Sequence, residues 1–365
     1  TKQNLWNPQI PQSVLVTSPS PTLSTNIFCG SQTIMPDGNI LITGGLTPSL
    51  TATQPDDIWI YDTFNSQWLY QGKMRAHRFY PTAITLTRPF GGRNLILGGL
   101  KWLDPLLGNG NTLWETFPGP PAGMPPVFVT YNETPPLGGG PPICPDPPLF
   151  ENYPRMLQLS NGQVLVTDLL GGTSNSAAGL SWLITVPPTP GIGTIVACPA
   201  TMTTERSYGS MILQHRQSAN GGPDLVLSLG GSEYDASSAL PFLKIHRTVE
   251  SFNATTNTWG WATPQLMKTE RYCPNAVTLP TGDVFIVGGG WNDPVSFNDS
   301  GNESDDWIGP VFLPELFRPG IGAQWLAPPN AGFPPPLQSP EFSFTPRAYH
   351  SIALLLPDGR VLVAG

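Results

Sequence analysis

Ser31-Gln32-Thr33-Ile34-Met35-Pro36-Asp37-Gly38-Asn39-Ile40-Leu41-Ile42-Thr43-Gly44-Gly45 is the stretch on which the fold turns. Two short runs containing β-branched residues flank Pro36-Asp37-Gly38, and the second run closes on a glycine pair. Asp-Gly accepts the positive φ angles of the turns that match the twist of paired strands. The stretch therefore reads as a β-hairpin. A glycine pair at its end suits a place where backbones approach closely, because no Cβ intrudes.

The pattern recurs along the chain. With its lead-in, the first copy begins at Phe28-Cys29-Gly30. A second copy runs from Arg78 to Gly99, with Phe90-Gly91-Gly92-Arg93 at its turn. A third runs from Tyr153 through Asn161-Gly162 to Gly171-Gly172. A fourth runs from Arg206 to Gly230-Gly231, turning around Asn220-Gly221-Gly222. A fifth runs from Arg271 through Thr281-Gly282 to Gly288-Gly289. The sixth runs from Arg347 to Gly365 and turns at Pro357-Asp358-Gly359. Successive glycine pairs fall roughly 50 to 75 residues apart, near the ~50-residue period of kelch-type blades.

Two further segments read as outer strands of such blades. Ile58-Trp59-Ile60-Tyr61-Asp62 precedes Asn65 and Trp68, then Met74 and Arg78. Val249-Glu250-Ser251-Phe252-Asn253 precedes Asn257 and Trp259, then Met267 and Arg271. The steps from aromatic to Trp and from Met to Arg are equal in both. The expectation is an all-β, kelch-like β-propeller forming a single domain over residues 1–365. Pro-rich inserted loops are expected at 117–149 and 310–340. Six repeat cores are visible, and seven blades are expected of an intact protein. The chain reads as cut at both ends of a larger one, because residues 1–27 hold material for one outer strand and the sixth core lacks its own.

Composition agrees. The 365 residues include 44 Pro and 39 Gly, which disfavours long helices. Hydrophobic residues at 39% and aromatics at 10% are enough for a core, which a disordered chain of this Pro content would lack. The net charge of −8 and the absence of any Lys/Arg cluster argue against nucleic acid and anionic membrane surfaces. No apolar run reaches the ~18 residues of a membrane span. Thr1-Lys2-Gln3-Asn4 leads into no apolar signal region. Sequons at Asn132, Asn253, Asn298 and Asn302, with few lysines, lean towards secretion. Cys29, Cys144, Cys198 and Cys273 show no Cys-x-x-Cys spacing, so a structural zinc site is not expected. One disulfide among the last three is open to any pairing. The acidic run Asn298 to Asp306 reads as a solvated loop rather than a calcium site.

Chemistry concentrates at the starts of the inner strands, which crowd around the axis of a propeller. Cys29 follows Phe28, Tyr80 follows Arg78-Phe79, and Tyr349-His350 follows Arg347-Ala348. Singly, each reads as packing: a buried Cys behaves as a small hydrophobe. Together they are a thiol, phenols and an imidazole, and Cu(II) takes tetragonal nitrogen and oxygen donors.

At these residues the chain resembles the galactose oxidase and glyoxal oxidase family of copper radical oxidases. Phe28-Cys29-Gly30 with Pro36-Asp37-Gly38 and Thr43-Gly44-Gly45 is similar to the family's cross-linking Cys segment. Arg78-Phe79-Tyr80 resembles its partner Tyr segment. Arg347-Ala348-Tyr349-His350-Ser351 with Leu354-Leu355-Leu356-Pro357-Asp358-Gly359-Arg360-Val361 resembles its Tyr-His segment. The resemblance implies a thioether between Cys29 and Tyr80, with Tyr80 binding copper and carrying the radical. It implies His350 as a second ligand, Tyr349 as axial ligand and base, and Trp102 as the residue stacked on the cross-linked Tyr. It implies a small aldehyde or alcohol substrate, dioxygen as oxidant, hydrogen peroxide as product and an extracellular setting. The family takes a second His ligand from a later domain. No His follows His350, while His77, His215 and His246 match no family motif, so that ligand is expected beyond Gly365. The alternative reading is a non-catalytic structural propeller of an extracellular matrix, cell wall or fibre glycoprotein, with matrix or fibre partners.

Overall fold

The computed structural model describes residues 4–5, 16–17, 25–47, 54–87, 92–100, 114–117, 129–131, 153–167, 180–186, 193–199, 202–204, 206, 208–214, 224–235, 242–261, 266–290, 309–319, 324–326 and 346–364. Every regular element among them is a β-strand, and none of them forms a helix long and apolar enough to cross a membrane. The chain divides into two compact units: Thr1–Asp168 with Trp182–Ala197, and Leu169–Ser181 with Cys198–Gly365.

In the first unit, β1 (Asn4–Leu5) pairs with β2 (Val16–Thr17). Then β3 (Ser31–Ile34), β4 (Ile40–Thr43), β5 (Asp57–Asp62) and β6 (Gln67–Lys73) form an antiparallel meander. A second meander is β7 (Thr82–Thr85), β8 (Asn94–Leu97), β9 (Trp114–Phe117) and β10 (Val129–Tyr131). A third is β11 (Arg155–Gln158), β12 (Val164–Thr167), β13 (Ser181–Thr185) and β14 (Thr194–Ala197). The first strands β3, β7 and β11 lie side by side.

The second unit repeats the plan. β15 (Ser210–Gln214) and β16 (Leu225–Leu229) are followed by an inserted hairpin, β17 (Ser232–Asp235) and β18 (Phe242–Ile245). The sheet resumes with β19 (Val249–Asn253) and β20 (Thr258–Trp261). Next come β21 (Asn275–Thr278), β22 (Val284–Val287), β23 (Glu315–Arg318) and β24 (Gln324–Trp325), then the hairpin β25 (Ile352–Leu355) and β26 (Val361–Ala364). Here β15, β21 and β25 are the neighbouring first strands. All six hairpins expected from the sequence form, each opening a sheet. Parts of both segments expected to be inserted loops are strand instead. β10 falls in the first; β23 and β24 fall in the second and complete the fifth sheet. Proline-rich flanks had hidden Glu315-Leu316-Phe317-Arg318, which itself holds no proline.

Cores form where sheets meet. Met35, Leu41, Ile58, Ile60, Met74, Ala83, Ile96 and Phe117 join the first two sheets. Leu227, Val249, Val284, Ile286 and Phe317 join the fourth and fifth. Full burial of each such side chain is worth about 1.5–3 kcal/mol. The aromatics of the outer strands pair across strands: Tyr61 with Trp68 at 5.0 Å, Phe252 with Trp259 at 5.4 Å, and Phe317 with Trp325 at 4.9 Å.

The glycine pairs have a specific task. Gly45 N–H donates to the Arg78 carbonyl, Gly231 to that of Arg271 and Gly289 to that of Arg347. A Cβ on the preceding glycine would sit 2.4, 2.6 and 2.3 Å from those same oxygens, at Gly44, Gly230 and Gly288 respectively. Only glycine lets one sheet's end meet the start of the next.

The arginines in turn anchor their own sheets. Fully buried Arg78, Arg206 and Arg271 pair with Glu115, Glu250 and Glu315 at 2.9, 2.8 and 3.0 Å. Each also donates to the carbonyl of the first glycine of its sheet: Gly98, Gly230 and Gly288. The carboxylates accept backbone N–H groups from the turn before each Arg, at Arg75, Thr203 and Lys268. The sequence neighbour Glu270 is therefore not the carboxylate that Arg271 pairs with. A third Met-x-x-x-Arg copy, Met202 to Arg206, joins the two read from the sequence, and Met74, Met202 and Met267 are all buried.

Candidate metal centre

Each first strand is preceded, two residues earlier, by a non-glycine residue in left-handed conformation. These are Cys29, Tyr80, Tyr153, Tyr208, Cys273 and His350, with φ of 59°, 62°, 46°, 56°, 52° and 62°. Such a backbone costs about 1–2 kcal/mol per residue for an L side chain. Its recurrence at one fold position marks a place where the chain holds side chains in a strained, fixed pose. Three of the five residues expected at the site, Cys29, Tyr80 and His350, occupy this position.

In the first unit the structure brings Cys29 and Tyr80 together and adds Tyr153, which the sequence reading missed. Tyr80 N–H donates to the Cys29 carbonyl over 3.0 Å, and Tyr153 N–H to the Tyr80 carbonyl over 2.7 Å. The side chains of Tyr80 and Tyr153 both hydrogen-bond Cys29. Burial pushes the Cys29 thiol pKa up, and these two bonds partly oppose it. The Tyr80 ring stacks on Phe79 at 3.9 Å and on Tyr153 at 4.6 Å, with interplanar angles of 20° and 28°. Trp102, expected to stack on Tyr80, lies outside the described residues.

In the second unit Tyr349 stacks on His350 at 3.8 Å. Tyr208 meets Tyr349 edge-on at 5.8 Å and Tyr272 at 5.1 Å. Desolvation lowers the His350 pKa, which favours the neutral imidazole that ligates metal. Arg347 lies three residues before its left-handed residue, whereas Arg78, Arg206 and Arg271 lie two before theirs. The additional residue is Tyr349, so this lead-in carries a phenol and an imidazole together. Tyr208, Tyr272 and Cys273 were also missed. The signal of Tyr208 and Cys273 was positional: a Tyr or Cys followed by Gly or Pro just before a first strand.

Among the described residues no cluster of three or more His, Cys, Asp or Glu side chains gathers. A phenol-rich donor set would not produce one. Cys29, Cys198 and Cys273 are free thiols, so no disulfide joins Cys198 to Cys273; Cys144 lies outside the described residues, as do His215 and the sequons Asn132, Asn298 and Asn302.

Comparison with known proteins bears out the resemblance to the galactose oxidase and glyoxal oxidase family. The chain is 32% identical over 154 residues, 39% of its length, to aldehyde oxidase GLOX1 of Arabidopsis thaliana. It is 36% identical over 99 residues to aldehyde oxidase GLOX of Vitis pseudoreticulata, and 22% identical over 93% of its length to galactose oxidase of Gibberella zeae. It spans 21%, 15% and 42% of those proteins. A fungal alcohol oxidase of the AA5 family, solved in complex with copper, matches with a TM-score of 0.57 over 93% of this chain and 58% of that one. At 19% identity that likeness is one of fold. No family model matches the chain.

Proposed function

We propose that the chain is the propeller portion of an extracellular copper radical oxidase that converts a small primary alcohol or aldehyde with dioxygen, releasing hydrogen peroxide. The observation that carries this reading is the hydrogen-bonded Cys29–Tyr80 pair, held at equivalent left-handed positions of successive sheets. The residue types suit copper: phenols at Tyr80 and Tyr349 and an imidazole at His350, whose lowered pKa favours the neutral, metal-ligating form. By the resemblance, Tyr80, Tyr349 and His350 would be the residues that hold the metal.

Copper, when bound, would accept one of the two electrons that the substrate gives up. The rest falls to the chain. Tyr349 takes the hydroxyl proton of the substrate. Tyr80, as a phenoxyl radical, takes a hydrogen atom from the adjoining carbon. The thioether to Cys29 donates electron density into the Tyr80 ring and so eases its oxidation. Dioxygen accepts the two electrons and two protons and leaves as hydrogen peroxide. At Asn253 the side-chain oxygen accepts the N–H groups of Thr255 and Thr256, which leaves the exposed amide nitrogen free to carry a glycan in a secretory compartment.

Peptide mapping of the full-length protein after copper(II) and air treatment tests the reading. A Cys29–Tyr80 peptide lighter by a pair of hydrogens is expected, with stoichiometric copper. Absence of both overturns the oxidase reading in favour of a structural propeller.

A further inference from the structure

We propose that Tyr153 is a positioning residue for the cross-link: its ring closes over Tyr80, and its hydroxyl holds the Cys29 sulfur against the Tyr80 ring. This rests on the oxidase reading.

Three observations converge. Cys29, Tyr80 and Tyr153 are tied in series by backbone hydrogen bonds of 3.0 and 2.7 Å, with all three residues left-handed. Their Cα frames are thus fixed relative to one another. Phe79 and Tyr153 both stack on Tyr80. Two rings at those separations cannot share one face, so Tyr80 is held between them and has lost its freedom to turn about χ2. Finally, Cys29 bonds to both hydroxyls. The ortho carbons of the Tyr80 ring, one of which the sulfur must attack, flank the carbon that bears that ring's hydroxyl, so the bond keeps the sulfur at that end of the ring. The second bond, from Tyr153, keeps the sulfur there.

The reaction removes the thiol hydrogen of Cys29 and an ortho hydrogen of Tyr80 and forms the C–S bond. Two protons and two electrons pass to dioxygen, giving hydrogen peroxide, with copper as the catalyst. Tyr153 exchanges no atoms. It contributes by orientation, which is where proximity effects on rate arise.

The test follows cross-linked peptide against time after copper and air are added to the copper-free full-length protein. Tyr153→Phe keeps the ring and removes the hydroxyl. It should slow cross-linking about tenfold, the size of one lost hydrogen bond. Tyr153→Leu removes the stack as well; cross-linking should slow further and the tyrosyl radical absorption of the matured protein should shift. Circular dichroism and thermal unfolding check that each variant is folded, and the isosteric Phe variant serves if Leu is not. A Tyr153→Phe rate equal to wild type overturns the positioning role and leaves the oxidase reading standing. A link from Cys29 to Tyr153 overturns both, as does wild-type protein that forms no link at all.

Discussion

Tyr80 N–H donates to the Cys29 carbonyl over 3.0 Å, and the two residues share φ angles near one value, 62° and 59°. One repeats the backbone pose of the other in the neighbouring sheet. The thiol–phenol pair is thus a product of the repeat itself: stacking two copies puts their lead-in side chains next to each other.

Thiol reactivity should follow burial. Cys29 is 8% exposed with its pKa raised, and Cys198 is 8% exposed with its pKa pushed up to about 11 by burial. Cys273 is half-buried. Iodoacetamide on the copper-free native protein at pH 8 should label Cys273 well before Cys29 or Cys198, as read by peptide mass spectrometry. Early labelling of Cys29 would contradict the packing around Tyr80.

The buried arginines should be among the costliest residues to remove. Arg271→Met leaves Glu315 without its partner, and breaking such a pair costs about 3–5 kcal/mol. Urea unfolding should show this loss. Arg271→Met with Glu315→Leu should recover much of it, because the stranded carboxylate goes too. A single variant within 1 kcal/mol of wild type, inside the usual range for surface substitutions, would remove the anchoring role.

Glycines with similar φ should differ by what lies beside them. Gly38 and Gly44 have φ of 86° and 72°. A Cβ at Gly38 meets nothing within 4 Å, while at Gly44 it lands 2.4 Å from the Arg78 oxygen. Gly38→Ala should cost about 1–2 kcal/mol, the left-handed penalty alone. Gly44→Ala should cost distinctly more in the same denaturation assay, since backbone must move. Equal losses would mean that the sheet junction is softer than the Gly45–Arg78 bond implies.

The hairpins were legible because Asp-Gly, Asn-Gly and Gly-Gly encode backbone geometry directly. Cys29, Tyr80 and His350 were legible because each stands just ahead of such a hairpin. Tyr153 and Tyr208 stand in the same place with no Arg-aromatic or Tyr-His context to mark them out, while Cys273, although it follows Arg271-Tyr272, carries a thiol where Tyr80 carries a phenol. The Arg–Glu partners were hidden for another reason. Arg206 and Glu250 are 44 residues apart, and only the pairing of β16 with β19 around an inserted hairpin brings them together. Glu205 and Glu270 are nearer in sequence, but local spacing carries no information about which carboxylate the third strand delivers. β23 and β24 were obscured by the prolines around them.

Acid should weaken the fold through His246. This residue is 5% exposed and lies 3.7 Å from Glu233, next to the Arg206–Glu250 pair. Burial, then the positive charge of Arg206, lowers its pKa from 6.5 to about 4. Lys244 lowers it further, while Glu233 and Glu250 oppose the shift. The unfolded chain takes up the proton near pH 6.5, the folded chain only near pH 4. Between those values the unfolded state binds more protons, so stability rises with pH. The contribution is complete above about pH 6.5 and is lost progressively as pH falls towards 4. His246→Gln keeps a polar side chain of similar size and removes the titration. The urea midpoint of wild type should fall more between pH 7 and pH 4.5 than that of the variant. His350, also shifted downwards, is present in both proteins and cancels in the difference. Parallel pH curves for the two proteins would show that His246 is hydrated and protonates in the folded state as readily as in the unfolded chain.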